Sequence, residues 1–585
     1  MIRVENLSYG VPAKDLYNNI SFTIDKGCHC AVIGSNGTGK STLIDMLINT
    51  DNYIFDGKII KDSGCRIGYQ GRFGVRDGLR DVSVFEYLSE RFVTVQREIA
   101  DVCEEMASAE DMEAVFEKYQ QLLDINEAMD GDNYENNICK QLNTAGMGNL
   151  KSVKISKVSG GEYKLLQIMK EMLLAPNLLI LDEPDIFLDF ANLNSLCRMI
   201  NEYKGTLMVV THNRCLLNHC FDKILHIENT DLQEYEGTYK EYRCSILRKK
   251  LELRIQNLSE QEEIRRTEKM VETLRKRATL MVNPVIGKSV NAKQSQLDRL
   301  KERQIKAPFI EICEPEISFC SVDTEADDER AVQENPILSV SDYGVEFDKV
   351  LLRNVSFELR RGEKAAFVGA NGTGKTTLIR DIVNNIKDEI HIDESAVVVS
   401  LPQFNDRTED DERTVSAIMA DAGFETKEKA SAYLAKFCLQ GDILEQKINM
   451  TSAGERNLLR IALAAGRKAD LLILDEPTSH LDIHAQMAFE KAVAEYKGTV
   501  LFVSHDFYLI AGCADYVLFA ENNTLRRMSV KKFRRMVYDC YFDRSYLEED
   551  RERQELERKI SDAFKTDNLA EAEKLCGELE ELDRR

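Results

Sequence analysis

Tryptophan is absent from the 585 residues, and proline and histidine are sparse at nine and eight. No apolar run approaches the roughly 18–20 residues that a membrane-spanning helix needs. The start, Met1-Ile2-Arg3-Val4-Glu5-Asn6-Leu7, lacks the charged-then-apolar order of a secretory signal, so the expected location is cytoplasmic, with no membrane partner. The 15 cysteines form no CxxC pair, which predicts reduced thiols and neither a disulfide framework nor an iron-sulfur cluster. Cys28-His29-Cys30 reads as part of a strand, and His212, Cys215, His219 and Cys220 as the approach to an ordinary helix, rather than as metal ligands. Positive charge is also in deficit: 77 Lys and Arg face 100 Asp and Glu. A net charge of -23 argues against whole-surface binding to nucleic acid and against DNA as a partner, and makes local charge the informative quantity.

What is present is an internal repeat. Gly34-Ser35-Asn36-Gly37-Thr38-Gly39-Lys40-Ser41-Thr42 returns 335 residues later as Gly369-Ala370-Asn371-Gly372-Thr373-Gly374-Lys375-Thr376-Thr377. Leu179-Ile180-Leu181-Asp182-Glu183-Pro184 returns after 293 residues as Leu472-Ile473-Leu474-Asp475-Glu476-Pro477, as do Ser159 as Ser452 and His212 as His505. The 42-residue difference places an insertion in the first copy, a helical stretch at about 82–144. The copies are expected at 1–238 and 336–540, with a linker at 239–335 and a tail at 541–585.

Each glycine-rich segment follows an apolar strand and precedes an apolar helix, the context that a GxxxxGK[ST] phosphate loop requires. Its backbone N–H groups and the helix N-terminus cradle phosphates, Lys40 and Lys375 reach the outer ones, and Ser41 and Thr376 suit Mg2+. Each LLILDEP run reads as a buried parallel strand delivering two carboxylates to those phosphates. Asp182 and Asp475 are candidate Mg2+ ligands, and Glu183 and Glu476 candidate bases for the attacking water of ATP hydrolysis.

Val158-Ser159-Gly160-Gly161-Glu162 and Thr451-Ser452-Ala453-Gly454-Glu455, each serine 23 residues before its strand aspartate, resemble the signature of the ATP-binding cassette superfamily. The resemblance implies a head-to-tail sandwich in which each signature helix meets the ATP held by the opposite P-loop. It further implies that Gln70 and Gln403 touch Mg2+ and the attacking water, and that His212 and His505 contact the γ-phosphate. Tyr9 and Tyr343, the latter with Phe347 as a competitor, would stack on adenine, and Asp189 and Asp482 match the D-loop aspartate. Two departures stand out: Ala453 replaces a signature glycine, and Asp185-Ile186-Phe187-Leu188-Asp189 replaces the pattern seen at Thr478 to Asp482.

Between the copies, residues 241–310 hold 17 Lys/Arg against 9 Asp/Glu, so this segment is +8 while the rest is -31. From Tyr239 to about Leu280 no Pro or Gly occurs, and Leu247, Leu251, Ile255 and Leu258 recur at helical spacing. Asn283-Pro284 and Gly287 predict a break, and a second helix is expected from about Ser289 to Ile305, with Leu297 and Leu300 packing back. Arg265, Arg266, Lys269, Arg275, Lys276 and Arg277 flank the tip, followed by Lys288, Lys293, Arg299 and Arg303. The tip itself, Leu280-Met281-Val282 and Val285-Ile286, is apolar.

This arrangement, with Tyr235-Glu236-Gly237-Thr238-Tyr239-Lys240-Glu241-Tyr242 leading into it, resembles the ABC-F subfamily. That resemblance implies an ATPase bound in the ribosomal E site, its hairpin directed at P-site peptidyl-tRNA and the peptidyl-transferase region, in translation regulation or protection against antibiotics. rRNA contact would run through the hairpin and the patch Lys531-Lys532-Phe533-Arg534-Arg535, and the chain would work as a monomer with intramolecular cassette pairing. The alternative, a twin-cassette ATPase subunit of a membrane transporter, leaves the basic hairpin without a use.

The expected architecture is therefore α/β: two tandem P-loop ATP-binding cassette domains, a long helical hairpin linker and a short tail of two charged helices. The departures predict unequal sites, with the one built from the first P-loop and the second signature turning over more slowly. Equal losses of ATPase rate from Glu183→Gln and Glu476→Gln would contradict this.

Overall fold

The computed structural model describes the chain apart from 1, 12–13, 63, 72–80, 107–111, 281–283, 304–313, 322–334, 348–349, 386, 404–411, 440, 542–545, 567 and 584–585. It divides into two units, residues 1–235 with 313–542, and residues 236–312 with 543–585.

In the first unit each copy of the repeat builds the same pair of sheets. Five-residue apolar segments such as Leu178–Asp182 and Thr206–Val210 are buried along their whole length, as strands covered on both faces must be. Six strands of the first copy order as Ile67–Gln70, Leu178–Asp182, Thr206–Val210, His29–Ile33, Lys223–Glu228 and Asp231–Glu236. The second copy repeats this with Val398–Leu401, Leu471–Asp475, Thr499–Val503, Lys364–Gly369, Tyr516–Glu521 and Thr524–Ser529. In both, the P-loop strand lies between the strand leading to His212 or His505 and the hairpin that closes the sheet. The ends of parallel strands therefore bring Gly34, Asp182 and Thr211, or Gly369, Asp475 and Ser504, to one edge.

A three-stranded antiparallel sheet accompanies each copy, formed by Lys14–Ile24, Ile2–Val11 and Asp56–Lys61, or by Val350–Leu359, Leu338–Glu346 and Ile390–Ile392. The insertion of the first copy is helical, Val84–Met106, Met112–Ala128 and Tyr134–Thr144, where among the described residues the second has the shorter α-helices Val415–Asp421 and Lys427–Ala435. One cysteine departs from the expected reduced state: Cys438 is disulfide-bonded.

The second unit holds the hairpin and the tail. Its first helix runs Tyr239–Leu280, about 63 Å at ~1.5 Å per residue. The return helix runs Pro284–Arg303, earlier than expected, because proline is suited to a first helical turn, where its missing N–H costs nothing; Gly287 is accommodated inside it. Leu297 is buried, whereas the side chain of Leu300 and the apolar tip lie outside the described residues. Only part of the leucine stripe is covered: Leu247 and Leu251 pack in a core, but Ile255 and Leu258 are exposed.

That core is supplied by the tail. Helices Tyr546–Lys565 and Leu569–Asp583 bury Ile560, Phe564, Cys576 and Leu579 against Leu251. The tail is thus an intramolecular brace on the base of the hairpin rather than a free contact surface. Buried charge pins it: Arg243 pairs with Glu557 at 2.9 Å, and Arg553 binds both oxygens of Asp583 and donates to the Lys240 carbonyl at 2.6 Å. Removing one member of a buried ion pair strands the other and costs about 3–5 kcal/mol. Arg553→Ala is expected to loosen the base of the hairpin, read as faster amide exchange over residues 239–255 with exchange across both cassettes unchanged.

Candidate nucleotide sites between the cassettes

Both P-loops end on a left-handed glycine, Gly39 (φ 95°) and Gly374 (φ 90°), with no side chain capping the helix that follows. A left-handed glycine leading into an uncapped helix start is the backbone arrangement that anion binding at a helix N-terminus uses. Lys40 Nζ donates to the Gly34 and Ser35 carbonyls at 2.9 Å, and Lys375 Nζ to Gly369 and Ala370 at 2.8 Å, which holds each ammonium at the loop. Ser41 Oγ donates to Asp182 Oδ2 at 3.4 Å, so a hydroxyl and a carboxylate converge at the first strand edge. Thr376 and Asp475 line one cavity in the second copy. Hard oxygen donors of this kind fit Mg2+.

Glu183 and Glu476 each follow the strand in a left-handed backbone conformation (φ 50° and 48°), pinned by N–H donation to the Val210 and Val503 carbonyls. Such strain persists where the surrounding structure enforces it, and it clusters at functional sites. Burial, reinforced by Asp475, pushes the Glu476 carboxyl up to about 8. His505 faces it, Nε2 lying 3.7 Å from Oε1, and burial depresses the imidazole well below its ordinary range.

The signature serines begin helices Gly160–Leu173 and Ala453–Ala465 with a capping box. The Glu162 and Glu455 side chains accept from the Ser159 and Ser452 N–H at 2.7 and 2.9 Å. One oxygen of each of these two carboxylates, expected to touch nucleotide, is committed to its own helix end. The box is intact in both copies, so Ala453 gives no local reason for a slower site.

The cassettes meet head to tail, and the contacts are reciprocal. Asn36 in the first P-loop donates from its backbone N–H to Asp482 Oδ2 at 3.1 Å and from its amide to the His480 carbonyl at 3.0 Å. Asn371 repeats this with Asp189 Oδ2 at 3.1 Å and the Phe187 carbonyl at 2.8 Å. A cavity of about 490 Å³ lies between the second P-loop and the first signature, lined by Gly160, Gly161, Lys375, Gln403, Glu476 and His505, a volume suited to a small-molecule ligand. Gln70 stands at the end of its strand, its amide donating to the Gly71 carbonyl at 3.4 Å, while His212 is buried near the interface beside Asn213 and Arg214.

One expected site residue is misplaced. Tyr343 is fully buried, its hydroxyl donating to Asp381 at 2.7 Å and its ring under Lys387, so it cannot stack on a base. The strand register explains the error: Tyr343 pairs with Val355 as Leu7 pairs with Ile20, which makes it the counterpart of Leu7 and not of Tyr9. Phe347 is 68% exposed and remains available in the second copy, while Tyr9 is half-buried beside Tyr53.

Three features were missed. Arg214, just after His212, reaches into the second cassette: it pairs with Glu490, lies 3.7 Å from Asp506 and sits 4.0 Å above the Tyr508 ring. Lys164 donates to the Glu183 and Ile186 carbonyls at 2.9 and 3.3 Å, a task that falls in the second copy to Asn457, which donates to the Pro477 and Ser479 carbonyls. Burial pulls Lys164 down to about 8, opposed by Asp185, itself pushed up to about 6 by burial. The pair replaces Asn457 and Thr478 together, a signal present in the repeat alignment. Third, His480 crosses the interface to Glu183.

Two P-loops, each closed by the D-loop of the opposite half, define a tandem ATP-binding cassette ATPase. The model of the ABC transporter family matches residues 17–185 and 352–479, and a companion model of the same description matches 225–319. The chain belongs to the ABC-F subfamily of these proteins. It is 27% identical to "Uncharacterized ABC transporter ATP-binding protein YfmM" of Bacillus subtilis, over 87% of this chain and 96% of that one. It is also 27% identical to "Energy-dependent translational throttle protein EttA" of Haemophilus influenzae, over 87% and 89%. "ABC transporter F family member 5" of Arabidopsis thaliana is 26% identical over 90% and 75%. A structure of ribosome-bound archaeal Pelota and ABCE1 shares the tandem fold with a TM-score of 0.53 and 16% identity, over 92% of this chain and 80% of that one. Among the described residues no helix is long and apolar enough to cross a membrane.

Of the signature glycines Gly161 and Gly454, Gly454 is approached more closely by the opposite cassette. A Cβ there would lie 2.0 Å from Asn36 Nδ2 and 2.9 Å from the His480 carbonyl, whereas at Gly161 it would meet the end of the Asn192 side chain at 2.5 Å and Asn371 only at 3.6 Å. Gly454→Ala should therefore displace Asn36 and lower the ATPase rate by about tenfold or more, exceeding the loss from Gly161→Ala in the same assay.

Proposed function

We propose that this ATPase is a ribosome-binding translation factor: ATP closes the cassettes in the bound form, and hydrolysis releases it from the E site. The observation that carries this reading is the basic hairpin. Arg265, Arg266, Lys269, Arg275, Lys276 and Arg299 are all exposed on it, in a chain whose remaining charge is strongly negative. Cations spaced along an extended element suit RNA recognised by shape and phosphate. The hairpin is assigned to P-site tRNA and the peptidyl-transferase region, with rRNA contacts that include Lys531, Lys532 and Arg535. Arg534 is excluded, because its guanidinium is committed to the Ala511 carbonyl. The relative named as a translational throttle and the fold shared with a ribosome-bound factor support the same assignment. The protein acts in the cytoplasm as a monomer, in translation regulation or in protection of the ribosome from antibiotics.

In the catalytic cycle, Lys40 and Lys375 with their loop N–H groups hold the β- and γ-phosphates. The N-termini of the helices capped by Ser159 and Ser452 meet the γ-phosphate held by the opposite P-loop. Ser41, Asp182 and Gln70, and Thr376, Asp475 and Gln403, would hold Mg2+, which neutralises phosphate charge when bound. Glu183 and Glu476 take the proton of the attacking water, a task for which the Glu476 carboxyl, raised toward neutrality by burial, is matched. His212 and His505 contact the γ-phosphate.

Co-sedimentation of the Glu183→Gln/Glu476→Gln variant with ribosomes is expected to require ATP, and charge reversal at Arg275 and Lys276 to weaken it. Binding that ignores ATP, or none, would return a membrane transporter as the partner. A shift in susceptibility to drugs of the large subunit on expression would separate protection from regulation.

A further inference from the structure

The two composite sites differ in what each D-loop presents across the interface. His480 of the second cassette has its Nδ1 3.6 Å from Glu183 Oε2 of the first, with both side chains almost wholly buried. The equivalent D-loop position of the first cassette is Phe187, 293 residues earlier. Both residues hold the left-handed backbone conformation, φ 61° and 62°, which is rare for large side chains and fixes where each one projects. Each is held there through its own carbonyl, by Asn36 or Asn371 of the opposing P-loop. The two rings meet edge to face, centroids 5.9 Å apart, and Phe187 lines the same cavity as Glu476. A phenyl ring offers a carboxylate no N–H.

We infer that His480 is a positioning residue acting in trans, orienting the Glu183 carboxylate for hydrolysis at the first site, and that Phe187 leaves Glu476 without this help. Both side chains are buried, so the electrostatic interaction between imidazole and carboxylate is little screened by solvent. The second site relies on elements of its own cassette, the His505 ring and the His505 backbone N–H, which donates to Glu476 Oε2 at 3.3 Å. Because the Asn36 bond to the His480 carbonyl joins this D-loop to the first P-loop, closure around that loop and orientation of Glu183 are one event. This inference rests on the reading of Glu183 and Glu476 as the hydrolytic bases.

The test is steady-state ATP turnover by the full chain in two backgrounds. Glu476→Gln leaves hydrolysis dependent on Glu183, and Glu183→Gln leaves it dependent on Glu476. His480→Phe installs the residue that the repeat already tolerates at this place. In the first background it should lower kcat about tenfold or more while KM for ATP changes less than about twofold, and in the second the loss should be at least about fivefold smaller. His480→Asn accepts the left-handed backbone and carries an amide N–H near the position of Nδ1, so it should recover most of the lost kcat. Equal losses in the two backgrounds, or an Asn variant as slow as the Phe variant, overturn the role of His480 while leaving the glutamates in place. Undiminished turnover by the Glu183→Gln/Glu476→Gln variant would instead refute the reading of the glutamates, and this inference with it.

Discussion

Everything at the nucleotide sites depends on the reciprocal bond between each P-loop and the opposite D-loop. Asn36 and Asn371 hold the carbonyls of His480 and Phe187, and Asp482 and Asp189 return the contact to the P-loop backbone. The same aspartates cap the helices that follow them, accepting from the Ala485 and Asn192 N–H groups. A single carboxylate therefore ends a loop, starts a helix and joins two domains. Neither cassette holds a complete site, so nucleotide chemistry and the approach of the two halves are linked by construction.

The two halves are nevertheless not copies in their electrostatics. The first cassette supports its D-loop with a buried Lys164–Asp185 pair where the second uses neutral Asn457 and Thr478. Arg214 places a cation against Glu490 and Asp506, and the residue at the equivalent position of the second cassette is Phe507. Buried charge is costly unless paired, so each asymmetric charge comes with its own counter-charge. The repeat has diverged by coordinated substitution along its interface while its strand order stayed the same.

The second unit follows a different logic. A helix of some 63 Å with cations along its exposed faces has little apolar surface with which to hold itself. Its base is stiffened by the tail helices through Leu251, Phe564 and the Arg553–Asp583 pair, 30 residues apart in the tail but closed onto one helix end. A lever needs a rigid base, and the chain supplies it from its last 40 or so residues.

Much of this was legible in the sequence, because the informative features are local. The P-loops, the aspartate–glutamate strand ends, the capped signature helices and the proline-free first helix of the hairpin each follow from neighbouring residues obeying backbone and hydrogen-bond rules. Tyr343 shows where that stops, since strand pairing makes it the counterpart of the core residue Leu7 and not of Tyr9, so an expected base-stacking ring is core. Glu162 and Glu455 show it again, because only geometry reveals that one oxygen of each is occupied by a helix cap. The sequence by itself determined which chemical groups exist and how they are spaced along each strand and helix. Tertiary structure alone decided that His480 would face Glu183, that Arg214 would meet Glu490 and that the tail would brace the hairpin. These contacts join residues hundreds of positions apart, and no local rule of spacing or periodicity reaches across that distance.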